Sequence, residues 1–149
     1  MVIKILPLAL ISLLPITLAA CSVDMSSDYG VVAVKVANNR EVYFKREVRG
    51  LSYDTLVIST NRSPCVMPNA ESDYIYPVIG PLELYYKTEG DSLILYGRFK
   101  ADPPKNDTFT VKIVQNEIDP SEFFAIKSKT DELGLKPLKV EIDKNIKCN

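Results

Sequence analysis

The sequence predicts an all-β domain: an antiparallel β-sandwich of about nine strands, with a partly open β-barrel as the alternative and one disulfide. Three observations carry this expectation. Short runs in which apolar and polar residues alternate recur roughly every ten residues, the spacing of an all-β sandwich or barrel. Asn, Gly and Pro pairs that favour turns separate the runs, and β-branched and aromatic residues fill them. No internal repeat or low-complexity tract interrupts the pattern.

The chain opens differently. Lys4 supplies a positive start, and residues 5–18 are apolar except for Ser12 and Thr17, the pattern of a cleavable signal segment. A membrane-spanning helix needs roughly 20 apolar residues, and this run is shorter and holds Pro7 and Pro15, so a permanent span is the weaker reading. Directly after it, Leu18-Ala19-Ala20-Cys21 resembles the lipobox of bacterial lipoproteins. The resemblance implies removal of residues 1–20, a diacylglyceryl group on the Cys21 thiol and an acyl chain on the new amino group. No other cofactor and no metal are expected. Two or more acyl chains hold a protein stably on a membrane, whereas one does so marginally. In that family an Asp after the modified Cys retains the protein in the inner membrane. Ser22 stands here, so the resemblance implies the outer membrane, and a periplasm-facing placement is expected.

Removing residues 1–20 from the 149 leaves 129, enough for one domain with a sizeable core. Of 18 basic side chains only Lys4 is lost, leaving 17 against 19 acidic ones. No basic stripe stands out, which argues against a nucleic-acid partner or a polybasic membrane surface. Residues 21–28 read as the lipidated cysteine and a polar tether, whose seven residues 22–28 reach about 23 Å when extended, and 29–149 as a single β domain. With Cys21 assigned to lipid by the resemblance, Cys65 and Cys148 remain as a pair in an oxidising compartment. A disulfide between them is expected, with two free thiols as the alternative.

Along the domain, Val32, Val34 and Val36 share one face of a first strand, and Val42, Phe44 and Val48 one face of a second. Asn38-Asn39 between them suits a two-residue turn, because Asn tolerates positive φ. Residues 53–59 form a third strand, central because Val57 lies between Leu56 and Ile58. Residues 60–73 lack periodicity and hold Asn61, Pro64, Pro68 and Asn69, which predicts a long ordered loop around Cys65. A short edge strand at 74–79 precedes the Gly80-Pro81 break and a strand from Leu82. Glu89-Gly90 suits a hairpin with a type I turn and bulge, after which Leu93, Leu95 and Phe99 are expected to face the core. The stiff connection 101–106 leads to a strand with Phe109, Val111 and Ile113 on one face. Residues 121–128 are expected as a further strand because Phe123, Phe124 and Ile126 favour β structure. The alternative is a helix, since Asp119-Pro120-Ser121-Glu122 has the form of a helix start. One helical turn near 130–135 and a last strand through Leu138, Val140 and Ile142 complete the order.

The chemistry is read largely by exclusion. Without histidine, Ser-His-Asp and Cys-His catalysis are impossible and a zinc site is disfavoured. The mature chain has no Ser-x-x-Lys, Gly-rich phosphate loop or calcium-loop series of aspartates. A glycoside hydrolase built on two carboxylates, from Glu71, Asp73, Glu83 and Asp102, is the residual enzymatic alternative. Tyr74, Tyr76, Tyr85, Tyr86 and Tyr96 cluster in the middle third, where Tyr serves either strand packing or a contact surface. The expected function is therefore protein binding without catalysis at the envelope, with Arg62, Glu71, Tyr74 and Tyr76 as candidate contact residues. The chain is similar to small immunity lipoproteins in size, lipidation and disulfide bracing. That resemblance implies occlusion of an envelope-targeted toxin. An accessory role in an outer-membrane or secretion machine is the alternative.

Overall fold

The structure, a computed structural model, describes residues 26–50, 53–66, 68–77 and 82–148. The expected signal segment, Cys21, and residues 78–81, which hold the end of the expected edge strand and the Gly80-Pro81 break, lie outside the described residues. Eight strands and one helix are found among those described, rather than about nine strands. The first sheet holds β1 (Ser27–Lys35), β2 (Glu41–Arg49), β3 (Tyr53–Ser59) and β4 (Tyr74–Ile75), in that order. The second runs β7-β6-β5-β8, from β5 (Leu84–Glu89), β6 (Ser92–Gly97), β7 (Lys112–Glu117) and β8 (Lys136–Leu138). Strand β1 begins at Ser27, inside the residues 21–28 expected as the lipidated cysteine and tether.

Alternation builds the core. Val34 and Val36 of the first hairpin, Val42 and Phe44 of β2, and Leu56 and Ile58 of β3 meet Leu84, Leu93 and Leu95 of the second sheet in one buried cluster. Each such side chain contributes roughly 1.5–3 kcal/mol by leaving water. Strand β3 is central, as its sequence predicts, and buries Leu56, Val57 and Ile58 on both faces. The first hairpin closes through Ala37, Asn38 and Asn39, and both asparagines take positive φ. The loop is longer than a two-residue turn because Val36 still donates its N–H to the Arg40 carbonyl at 2.8 Å. In the second hairpin Glu89 pairs with Ser92, which leaves Gly90-Asp91 as a two-residue loop without a bulge. Gly90, with φ of +53°, occupies the first central position, where the tight II′ hairpin turn requires positive φ.

Four further expectations are corrected. Strand β7 begins at Lys112, later than its sequence predicts, and pairs with β6 in parallel rather than antiparallel. A parallel neighbour needs a long crossover, and residues 98–111 supply it by leaving the second sheet to bridge Asp102 with Ile75 of β4. The Gln115 amide clips this crossover back onto β7, accepting from the Ala101 N–H at 2.7 Å and donating to the Ala101 carbonyl at 3.1 Å. Phe99, which starts the crossover, is exposed instead of core-facing.

The segment expected as a strand at 121–128 is helix α1 (Pro120–Ser128). Asp119 caps it, accepting from the Ser121 and Glu122 N–H groups at 2.7 and 2.9 Å, while Glu122 reaches back to the Asp119 N–H at 3.3 Å. This capping box, with proline at the first turn, overrides the β preference of the adjacent aromatics. One face of α1 covers the outer side of the second sheet, with Phe123 against Tyr85 at 5.6 Å between ring centroids and Leu135 in the same cluster.

The last strand is also shorter than its alternation suggests. After β8 pairs with β5, the chain crosses to the first sheet, where the Asp143 N–H donates to the Tyr29 carbonyl at 2.8 Å. On the way it passes Gly30 so closely that a methyl group there would overlap the Glu141 carbonyl and lie 3.3 Å from Val140 Cγ1. Gly30→Ala is therefore expected to cost about 1–3 kcal/mol by overpacking against backbone. Urea denaturation measures this, and a variant within about 0.5 kcal/mol of the parent, the range of a neutral surface change, would show that the two segments part without penalty.

Candidate functional site

Residues that alternate with the core side chains of β2 form a polar strip on the outer face of the first sheet: Tyr43, Lys45, Glu47 and Arg49. On an open sheet face such residues are solvated, yet Lys45 and Glu47 are only 5% and 6% exposed. The irregular segment 60–73 covers them. Pro64, Cys65, Val66 and Pro68 close over Tyr29, Lys45, Thr55 and Val57, leaving a space of about 20 Å³. The Lys45 ammonium donates to the Val66 carbonyl at 3.4 Å. Burial pushes Lys45 below the ordinary lysine pKa, and the nearby Asp73 charge opposes that shift. Glu47 accepts from Ser27 Oγ and from Arg49 Nη2, each at 2.8 Å.

The cover is pinned along its length. Cys65 and Cys148 form the disulfide expected for them, with Cα atoms 5.2 Å apart. The Asn61 and Asn69 side chains accept from the backbone N–H two residues on, at 2.8 and 3.0 Å, holding local turns. The buried Asp73 carboxylate accepts the Asn69 N–H at 3.0 Å. From the crossover, the Lys105 N–H reaches the Ala70 carbonyl at 3.1 Å and the Asn106 N–H the Glu71 carbonyl at 2.8 Å. The Lys105 ammonium and Asn106 amide also hold the Glu71 carboxylate, at 2.6 and 3.2 Å. A segment without periodicity thus becomes a fixed surface bearing exposed Arg62 and Glu71.

The four candidate contact residues do not share that surface. Tyr74 and Tyr76 are 7% and 3% exposed and belong to the core between the sheets. Tyr74 stacks edge-on against Phe109, with ring centroids 5.3 Å apart, and its hydroxyl donates to Asp107 at 3.4 Å. Burial, then the Asp107 charge and hydrogen bond, raise the Tyr74 pKa, and burial raises that of Tyr76 strongly. The other tyrosines divide between layers: Tyr86 packs against the central core, whereas Tyr85 and Tyr96 pair across strands beneath α1. Their grouping in the sequence reflects sheet packing rather than one contact face.

The candidate carboxylates likewise sit in separate surroundings. Glu71 and Asp73 belong to the pinned cover, Glu83 accepts from Lys127 of α1 at 3.1 and 3.2 Å, and Asp102 lies on the crossover beside β4. Among the described residues no group of three or more His, Cys, Asp or Glu is placed to hold a metal, and no helix is long and apolar enough to cross a membrane.

Two larger concavities escaped the sequence reading. One, of about 240 Å³, opens between the sheets beside Leu56, Leu138 and Val140 and contains an ion pair on inward-facing positions. Arg46 grips Asp54 through two hydrogen bonds, 2.8 Å from Nε and 2.6 Å from Nη2, and these raise the Arg46 pKa. Its phase with Val42, Phe44 and Val48 was the available signal, since a charge in an apolar register needs a partner. The other, of about 260 Å³, is lined by Leu82, Arg98, Phe99, Pro120, Phe123 and Phe124. Phe99 and Phe124 are 41% and 70% exposed there. The Phe123-Phe124 doublet was its signal, because adjacent helical residues cannot both face one sheet. No protein-family model, curated protein or solved structure matches the chain.

Burial of Tyr76 has a pH consequence with a definite sign. Its folded pKa lies above the ordinary 10.0, so the stability it contributes is present below pH 10 and is lost as pH rises toward the folded value. Lys45 acts oppositely, since a lowered lysine pKa favours the fold as pH approaches 10.5 from below. Urea midpoints above pH 10 should therefore fall less for Tyr76→Phe than for the parent. Parallel decline of the two would assign alkaline unfolding to other groups.

Proposed function

We propose that the protein is a lipid-anchored component of the bacterial envelope that binds another protein and catalyses no reaction. Its two-sheet body is read as a β-sandwich scaffold, held through acyl chains on Cys21 at the outer membrane and facing the periplasm. The observation that supports binding most directly is the cover at 60–73: an exposed irregular segment fixed by Cys65–Cys148, by local Asn turns and by the crossover. A surface ordered before encounter loses little conformational entropy on association. Of the four candidate contact residues, Arg62 and Glu71 are the two exposed on this surface, whereas the tyrosines are buried.

The concrete form of the proposal is an immunity protein that occludes an envelope-targeted toxin. Support for a non-catalytic role comes from the acidic side chains: Glu71 and Glu83 are ion-paired, and Asp73 is bound to backbone beside Lys45. A photo-crosslinking residue at position 62 in intact cells is expected to capture a stoichiometric protein partner. Combining Arg62→Glu with Glu71→Lys should weaken the purified complex by about tenfold or more, as loss of contact residues at a binding surface does. Absence of a stoichiometric partner, or full affinity in the double variant, would contradict binding through this cover. Capture of a resident envelope component, with an envelope defect on loss of the gene and no toxin, would favour the assembly role instead.

A further inference from the structure

The exposed aromatics at the second large concavity have no role in the core or in the cover, and their position relative to the tether is informative. Strand β1 starts at Ser27, paired with Arg49 at the end of β2, close to the start of β3 at Tyr53. Asp54 and Leu56 line the cavity between the sheets together with Leu82, and Leu82 also lines the groove holding Phe99 and Phe124. The groove therefore opens at the end of the domain where the chain enters β1. The far end is marked by the other hairpins, where Arg40 bonds to Asp91 and to the Thr110 carbonyl. From Cys21 to Ser27 the chain can span no more than about 22 Å even when fully extended. If Cys21 is in the bilayer, this end lies beside it.

We propose that this end is a membrane-contact surface, in which Phe99 and Phe124 enter the headgroup region of the bilayer that holds Cys21. The inference rests on the anchoring proposed above. Phenylalanines beside apolar Leu82, Pro120 and Phe123 gain by leaving water at a bilayer surface. Arg98, with its guanidinium 5.9 Å from the Phe99 ring, keeps a long stem along the apolar patch and a charge able to reach lipid phosphates. Arg49 lies similarly over Tyr53, at 5.3 Å, on the same end. The nearby carboxylates are engaged, Glu83 by Lys127 and Asp119 and Glu122 in the capping box, so contact is driven by aromatic burial rather than net charge. The occupant is the bilayer because the tether brings that surface within reach. Such contact fixes the orientation of the domain and leaves the opposite hairpins pointing away from the membrane.

The chain has no tryptophan, so Phe99→Trp, Phe124→Trp and, at the far end, Thr88→Trp each give a single reporter. With Cys65 joined to Cys148, Cys21 is the remaining thiol of the mature chain, and it can be coupled to a maleimide lipid in phosphatidylethanolamine–phosphatidylglycerol vesicles. Brominated lipids are expected to quench the reporters at 99 and 124, with a blue shift, and to leave the one at 88 unchanged. Equal quenching at all three positions, or none at 99 and 124 on vesicles that carry the domain, would overturn the contact, the second result leaving the patch to a protein. Whether cells acylate Cys21 is read separately from the mass of the amino-terminal peptide. Failure of the anchor and failure of the surface therefore give different results.

Discussion

The carboxyl-terminal segment 136–148 is the constraint on which the rest of the structure depends. Two open four-stranded sheets leave edges whose backbone groups need partners, and a core shared between them can still separate at the rims. This segment pairs with β5, passes Gly30 at backbone contact, accepts the Arg46 guanidinium at the Val140 carbonyl at 3.4 Å, and bonds to Tyr29. It then ends in the disulfide that holds the cover over Lys45 and Glu47. One strap thus joins both sheets to the long loop. The crossover at 98–111 does the equivalent at the opposite edge by bridging β4 and β7.

The strap also stiffens the cover it holds. Closing a loop over a sequence separation of 83 restricts the unfolded chain by about 4.5 kcal/mol in the chain-entropy picture. Its larger structural effect is to make a segment with little apolar surface behave as a fixed part of the sheet. Burying Lys45 and Glu47 is unfavourable unless the groups around them stay in place, so the polar strip and the cover depend on each other. On the remaining surface, α1 shields the second sheet with Phe123 and leaves Phe124 outward.

The sequence made the strands legible wherever one face is buried and the other is not. The bounds of β3, the shared face of Val42 and Phe44, and the positive φ required of Asn38 and Gly90 follow from local chemistry alone. Pairing partners did not, because period-two alternation is the same for parallel and antiparallel neighbours, and β7 took the parallel choice through a crossover. Helix α1 was legible only as the alternative to a strand, because Phe123, Phe124 and Ile126 favour β structure while the capping box that settles the backbone lies in four residues ahead of them. The cover was legible as a long loop around Cys65, while burial of Tyr74 and Tyr76 was not, since a tyrosine on a strand reads alike whether its ring faces a core or a partner. Arg46 stood in the apolar register and announced a partner, but only the fold could bring Asp54 to it.

Native-state hydrogen exchange on the oxidised and reduced protein tests the role of the strap most directly. The amides of Asp73, Asn106 and Asp143 bond within the cover, to the cover and to β1, whereas those in the β2–β3 ladder lie in the central sheet. Reduction of Cys65–Cys148 is expected to release the first group at a lower opening free energy than the Phe44 and Ile58 region. Unchanged protection of Asp73 and Asp143 after reduction would contradict the dependence of the cover and the sheet edge on the carboxyl-terminal segment.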